Sequence, residues 1–386
     1  MLRIMAETTR PARPRTAWLG RRDRYPLNSP HGRGRSGARK KREDAVKHVS
    51  LSGAVSAAAL ALGLAAPAAN AADFKNKTIT VVVPGGSGGT FHIYAQLVAR
   101  HLGKHVPGTP AVITQNRPGA GGVTASNYMA GAAPRDGTVI AEINPGSVVV
   151  PLLRKVAFDP RKFVWLGTAA VRTYTLGVWH TVEADTLESH KKTEVIMGSS
   201  GVGSLNYQIP TFMNAAMGTR YKVIAGYKGG GDINIAMERG EVQGRGNFYS
   251  GYTGAQPHWI RDKKIKFFAT LGPTRPEVAN VPRLLDRIEG DINRQMYKLL
   301  EVGFNVGQSF HLPEGVPKAQ VDMLRAAFAA TLKDSEFLAE AEKRKVPIIT
   351  QGYEKVEAII AEAYDVKPEV PKNLAAILGL NKKKKK

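Results

Sequence analysis

The 386-residue chain contains no cysteine. It therefore expects neither a disulfide framework nor the lipid of a lipoprotein anchor; a protein of this size builds its core without cross-links, so the absence is neutral about export. Acid is scarce as well, with 32 Asp and Glu against 55 Lys and Arg and a formal charge of +23. Such an excess raises nucleic acid as a partner, but much of it lies in residues 1–71 and in the terminal run Lys382 to Lys386. The rest is only moderately basic, without a Lys/Arg-rich helix or an aromatic-interleaved stripe, so no nucleic-acid partner is expected.

Catalytic signatures are missing too. If Ser200 is taken as the nucleophile of a G-x-S-x-G turn, Val202 stands where the final glycine belongs. Ser199, Ser200 and Ser204 are better read as hydroxyl donors or turn residues. No G-x-x-x-x-G-K-[ST] occurs, and the glycine turns do not follow G-x-G-x-x-G, so no phosphate-bearing cofactor is expected. His101 and His105 stand at i, i+4 on one helix, but the intervening Leu102-Gly103-Lys104 offers no general-base Glu and no third ligand is evident. A solvated helix end is the plainer reading, and no metal is expected. The carboxylates are scattered, with no pair marked for acid–base work.

What is present begins with a leader. Arg39 to Arg42 and Lys47 precede the apolar run LSGAVSAAALALGLAAPAA, and Ala69-Asn70-Ala71 puts small residues where a signal peptidase reads. The run is too short and too rich in alanine for a membrane span. Cleavage after Ala71 and a periplasmic location are expected. Residues 1–38, rich in Arg, Pro and Gly, read as disordered, and Val46 would give a signal peptide of ordinary form if it were an initiation codon.

Past the leader, the stretch TITVVVPGGSGGTFHIYAQLVARHL (Thr78 to Leu102) joins an apolar, β-branched strand to a glycine turn and an amphipathic helix. Phe91, Tyr94, Val98 and Leu102 recur at spacings of three and four, giving the helix one apolar face. The turn therefore lies between the end of a buried parallel strand and a helix start, where free N–H groups and the helix dipole stabilise an anion. A strand AVITQ (Ala111 to Gln115) leads to NRPGAGG (Asn116 to Gly122), a helix from about Val123, and a strand TVIAEI (Thr138 to Ile143). The pattern repeats at EVIMGSSGVGS (Glu194 to Ser204) before a helix over Leu205 to Met217, and again at YKVIAGYKGGGD (Tyr221 to Asp232). Strands are expected near Val242 and over Lys264 to Gly272, EVGFNVGQSF (Glu301 to Phe310) reads as a return segment, and a helix is expected over Lys318 to Lys333. Alternating β and α elements predict parallel sheets with helices on their faces.

Several of these segments together resemble the receptors of tripartite tricarboxylate transporters, the Bug periplasmic binding proteins. They are ITVVVPGGSGGT, NRPGAGG, APRDGT (Ala133 to Thr138), FDPRKFVWLG (Phe158 to Gly167), GSSGVGS and YKGGGD. The resemblance implies an α/β fold of the type II periplasmic binding protein kind: two lobes, each with a mainly parallel sheet flanked by helices, joined by crossing strands. The expected division is residues 73–170 with 296–381 for lobe one and 171–295 for lobe two, with pivots near Ala170 and Gln295. It further implies a monomer that captures a small di-, tri- or other carboxylate and delivers it to membrane transporter subunits. Carried over by position, one carboxylate would meet the turn Gly86, Ser87, Gly88, Gly89, Thr90, Phe91 and His92 and the turn Ser199, Ser200, Gly201, Val202, Gly203 and Ser204. Asn144, Asn247 and Tyr249 are candidate side-chain contacts, and NRPGAGG is expected to be a structural turn.

Family members commonly read G-G-T-D with Ala-Arg soon after. Here His92 stands where the acid aligns and Gln96 replaces the Arg, which disfavours an α-amino ligand. An imidazole at His92 could orient a carboxylate, or attract it more strongly at acid pH. Two other readings stay open: an enzyme acting on a carboxylated substrate in the same cleft, and a receptor that presents its ligand to a sensor kinase.

Overall fold

The computed structural model describes residues 73–381, so the leader, its cleavage site, the disorder expected for residues 1–38 and the Lys382–Lys386 tail lie outside the described residues. Ten strands are described: β1 (Thr78–Val83), β2 (Ala111–Asn116), β3 (Val139–Glu142), β4 (Val164–Thr168), β5 (Tyr174–Trp179), β6 (Val195–Ser199), β7 (Tyr221–Ala225), β8 (Gly244–Phe248), β9 (Ile265–Leu271) and β10 (Ser309–Leu312). They form two five-stranded sheets, β2-β1-β3-β10-β4 and β7-β6-β8-β5-β9.

The two orders follow one plan. In each sheet a parallel trio is followed by one antiparallel strand, β10 in the first and β5 in the second, and then by an outer strand. Both antiparallel strands are crossing strands. The chain leaves the first sheet at Thr168 and enters the second at Tyr174; it returns through the helix Asp291–Val306 into β10. The two crossings lie side by side, because the Ala169 N–H donates to the Gln308 carbonyl at 2.9 Å and the Gln308 N–H donates to the Ala170 carbonyl at 2.9 Å.

Gln295, expected near the second pivot, falls inside the helix Asp291–Val306. Met296, Leu299, Leu300 and Phe304 continue a buried stripe at helical spacing past that point, so the crossing comes at Gly307 and Gln308. The same helix takes in Glu301 to Val306, so the expected return segment is its last turns followed by β10.

Strand alternation explains the layering. Ile79, Val81 and Val83 face a cluster with the helices Thr90–Leu102 and Lys318–Thr331, whereas Val82 faces the larger cluster that also holds Leu176, Met197, Ile209 and Phe304. That larger cluster spans both sheets. A smaller one around Ile233, Tyr252 and Trp259 covers the other face of the second sheet. Among the described residues, no helix is long and apolar enough to cross a membrane.

Candidate ligand site

Strands β1, β3, β6 and β8 end towards one cavity of about 50 Å³ between the lobes, the place where parallel sheets direct their loops. Pro84 and Gly85 follow β1, Asn144 follows β3, Ser200 follows β6, and β8 contributes Arg245, Gly246, Asn247 and Phe248. The lobes are locked together by backbone. Gly86 N–H donates to the Lys228 carbonyl at 2.9 Å, Gly121 N–H to Ser200 O at 3.0 Å, and Gly203 N–H to Ala120 O at 3.1 Å. Gly121 has φ +67°, and a Cβ there would lie 2.5 Å from the Ser204 nitrogen, so the NRPGAGG turn is glycine-rich because the opposite lobe touches it.

Of the first expected turn, Thr90 and Phe91 line the cavity; Gly86, Ser87, Gly88, Gly89 and His92 do not. Gly86 spends its N–H on Lys228, and the His92 Nδ1 is buried without a hydrogen-bond partner. Of the second turn, Ser200 and Ser204 line the cavity, while Ser199, Gly201, Val202 and Gly203 do not. Its hydroxyls are largely committed: Ser199 Oγ bonds Asn206 Oδ1 at 3.0 Å, and Ser204 Oγ donates to Gly201 O at 2.6 Å. Asn144 and Asn247 line the cavity. Tyr249 is outside the lining and packs its ring 5.7 Å from that of Phe267.

Three helix starts converge here. The helices Thr90–Leu102, Leu205–Met217 and Gly230–Glu238 each place their first residue in the lining, and none has a side-chain cap. The first two carry no acid in their first turn, so their N–H groups keep a positive end towards the cavity. The lining holds three cations, Arg172, Lys228 and Arg245, and no Asp or Glu.

Neither arginine was singled out in the sequence. Arg172 is the one charged residue between Lys162 and His180, in the middle of a crossing. Its Nη1 donates to Ser250 Oγ at 3.3 Å, its Nη2 donates to Gln308 Oε1, and its guanidinium lies 4.0 Å from the Phe248 ring centre. Burial pushes the Glu142 carboxyl well above the usual carboxylate range, and Arg172 opposes that shift. Both Glu142 oxygens lack hydrogen-bond partners. Arg245, flanked by Gly244 and Gly246, donates from Nη1 to Gly230 O and to Asn234 Oδ1, both at 2.7 Å. A lone cation in an apolar run, and another between two strand glycines, were the available signals.

His101 and His105 do gain neighbours, Glu340 Oε2 at 2.8 Å and Asp334 Oδ2 at 3.1 Å. Lys104 Nζ lies 2.9 Å from Asp334 and 2.6 Å from Glu336, and Arg100 pairs with Glu340, so these acids already have cations. The cluster is an ion-pair seam between two helices.

Two lobes, each with a five-stranded sheet, on either side of a small cationic cavity have the architecture of a two-lobed α/β solute-binding protein. The chain belongs to the tripartite tricarboxylate transporter receptor family, whose sequence profile matches residues 94–365. That family consists of periplasmic solute-binding receptors, not enzymes. A UPF0065 protein of Bordetella bronchiseptica is 27% identical over 272 residues, 68% of this chain and 75% of that one. Among solved structures, the periplasmic binding protein BugD aligns with TM-score 0.63 and 22% identity, covering 79% of this chain and 99% of its own. An R. palustris protein, Rpa4515, solved with adipate, aligns with TM-score 0.61 and 20% identity over 80% of this chain and 99% of its own. These likenesses establish the two-lobed fold.

Proposed function

We propose that this protein captures a small organic carboxylate between its lobes in the periplasm and hands it to membrane transporter subunits. The carrying observation is electrostatic: three uncapped helix starts and three cations surround one cavity whose lining contains no acid. An anion gains there from dipoles and charges already in place, and an ammonium group meets nothing to neutralise it.

In this reading the contacts are Thr90, Phe91, Asn144, Ser200, Ser204 and Asn247, with the helix starts. The remaining residues of the two glycine turns act by letting the lobes meet. The lobes divide at the paired crossings, Ala169–Thr173 and Gly307–Gln308, and the mature monomer starts near Asp73 after a cleaved signal peptide. The family membership and the adipate bound by the R. palustris protein support a carboxylate as ligand.

A thermal-shift screen of organic acids tests this. An acid at about one hundred times its dissociation constant should add about 2.7 kcal/mol of stability. If amino acids or neutral sugars shift the transition and no carboxylate does, the reading fails.

A further inference from the structure

We propose that Arg245 is a positioning residue for lobe closure: it props the lobe-two turn 228–231 against lobe one and acts on the ligand through that turn. The proposal deepens the receptor reading and rests on it for the idea that closed lobes hold the ligand. Arg245 is only 3% exposed, and its partners are neutral oxygens. Its Nη1 donates to the Gly230 carbonyl and to Asn234 Oδ1, both at 2.7 Å, which ties the guanidinium to the first turn of the helix Gly230–Glu238. Hydrogen bonds from a cation are strong, and the planar guanidinium holds both acceptors in fixed positions.

The same turn meets lobe one. The Gly86 N–H donates to the Lys228 carbonyl at 2.9 Å. A Cβ on Gly229 would lie 2.8 Å from the Gly86 nitrogen, and one on Gly231 would lie 2.5 Å from the Ser87 carbonyl oxygen. Between them, a Cβ on Gly230 would point at Arg245 instead, 3.1 Å from Nη2 and 3.3 Å from Nη1. Three consecutive glycines therefore leave bare backbone between the guanidinium and lobe one, with no side chain to take up slack. The Lys228 N–H donates to Asp232 Oδ2 at 3.2 Å, which fastens the turn to the same helix. Any shift of the guanidinium is passed on to the Gly86–Lys228 bond between the lobes.

Because the chain has no cysteine, closure can be read without a ligand. A Cβ on Gly86 would lie 3.1 Å from the Lys228 Cβ, a few tenths of an ångström inside the about 3.5–4.5 Å that a disulfide spans. Their bond between the lobes is made by backbone, which side-chain substitution leaves in place. In the full chain carrying Gly86→Cys and Lys228→Cys, the rate of disulfide formation, followed by loss of free thiol, reports how often the two turns meet. In this background Arg245→Gln should slow the reaction about tenfold or more, the loss expected of one hydrogen bond from a charged group. Arg245→Lys should restore part of the rate, and Asn234→Ala should slow it severalfold. Phe268→Leu, in the lobe-two core beside His190 and Tyr221, should leave the rate unchanged even where it lowers melting. A native rate in Arg245→Gln overturns the proposal, because a cation that acted only on bound ligand would leave the ligand-free turns untouched. An Arg245→Lys rate no faster than that of Arg245→Gln, or equal slowing in Phe268→Leu, also overturns it. Should Arg245→Gln fail to fold, a native rate in Asn234→Ala overturns it instead. Slowed closure in Arg245→Gln, in a protein whose melting no carboxylate raises, supports the prop and overturns the receptor reading.

Discussion

The two lobes share one strand plan yet meet the cavity with different chemistry. Lobe one brings the start of the helix Thr90–Leu102 with Thr90 and Phe91, and Asn144 from the loop after β3: dipole, hydroxyl, ring and amide, with no charge. Lobe two brings the two other helix starts, at Leu205 and Gly230, and adds Arg245, Lys228 and Tyr174, while the serines of its glycine turn are held by Asn206 and by their own backbone. Equivalent topology therefore fixes where a ligand is held, and the residues at the strand ends decide by what means. The lobe with the more conspicuous glycine loop is the one that carries no charged contact.

The comparison breaks most severely if the lobes cannot meet. A Cβ at Gly203 would lie 2.7 Å from the Ala120 carbonyl and 2.8 Å from Val123, both on lobe one. Gly203→Val should weaken carboxylate binding more than a hundredfold by calorimetry while each lobe stays folded by circular dichroism.

The crossing should matter next, for stability. Removing Arg172 takes away the hydrogen bonds it donates to the buried Ser250 and Gln308, and leaving buried acceptors unpaired costs about 1–3 kcal/mol. Arg172→Met should lower stability in urea by an amount of that order.

Each lobe also buries a histidine, and acid should sharpen the difference between them. Burial lowers His311, stacked 4.1 Å from Phe163, to about 4, against a smaller backbone contribution from Leu312. Burial also lowers His190, which is bonded to Tyr221 and Ala184. A depressed folded value means that the unfolded chain takes the proton first as pH falls, so stability is full above about 6.5 and is lost towards 4. For His311 the loss is at most about 3 kcal/mol. His311→Phe should flatten urea stability across that window more than any neutralising change at His190. An unchanged slope would remove His311 from the account.

The smallest effect is expected at His92, which the cavity lining excludes. His92→Ala should change carboxylate affinity less than twofold between pH 6 and 8, and a larger change would restore it as a ligand contact.

Much of this was legible in the sequence, for physical reasons. The runs at Thr78–Val83 and Tyr221–Ala225 are rich in β-branched residues, and Leu205–Met217 has a glycine turn before it and Gly218 after it, so their types were readable. β5 and β10 were harder, because a crossing strand is defined by the sheet it joins and not by its own pattern. The glycine turns pointed to an anion site, but glycine can serve a ligand or an opposing backbone equally well, and Gly121 and Gly203 serve the backbone. Arg172 and Arg245 escaped notice because an arginine in a chain with 55 basic residues reads as surface until burial singles it out.

Small-angle scattering of residues 73–381, with and without the carboxylate that gives the largest thermal shift, tests the central claim that the acid is enclosed between two lobes pivoting on paired crossings. The account predicts a smaller radius of gyration on saturation, abolished by Gly203→Val. Saturation confirmed by calorimetry with no change in the scattering curve would contradict it.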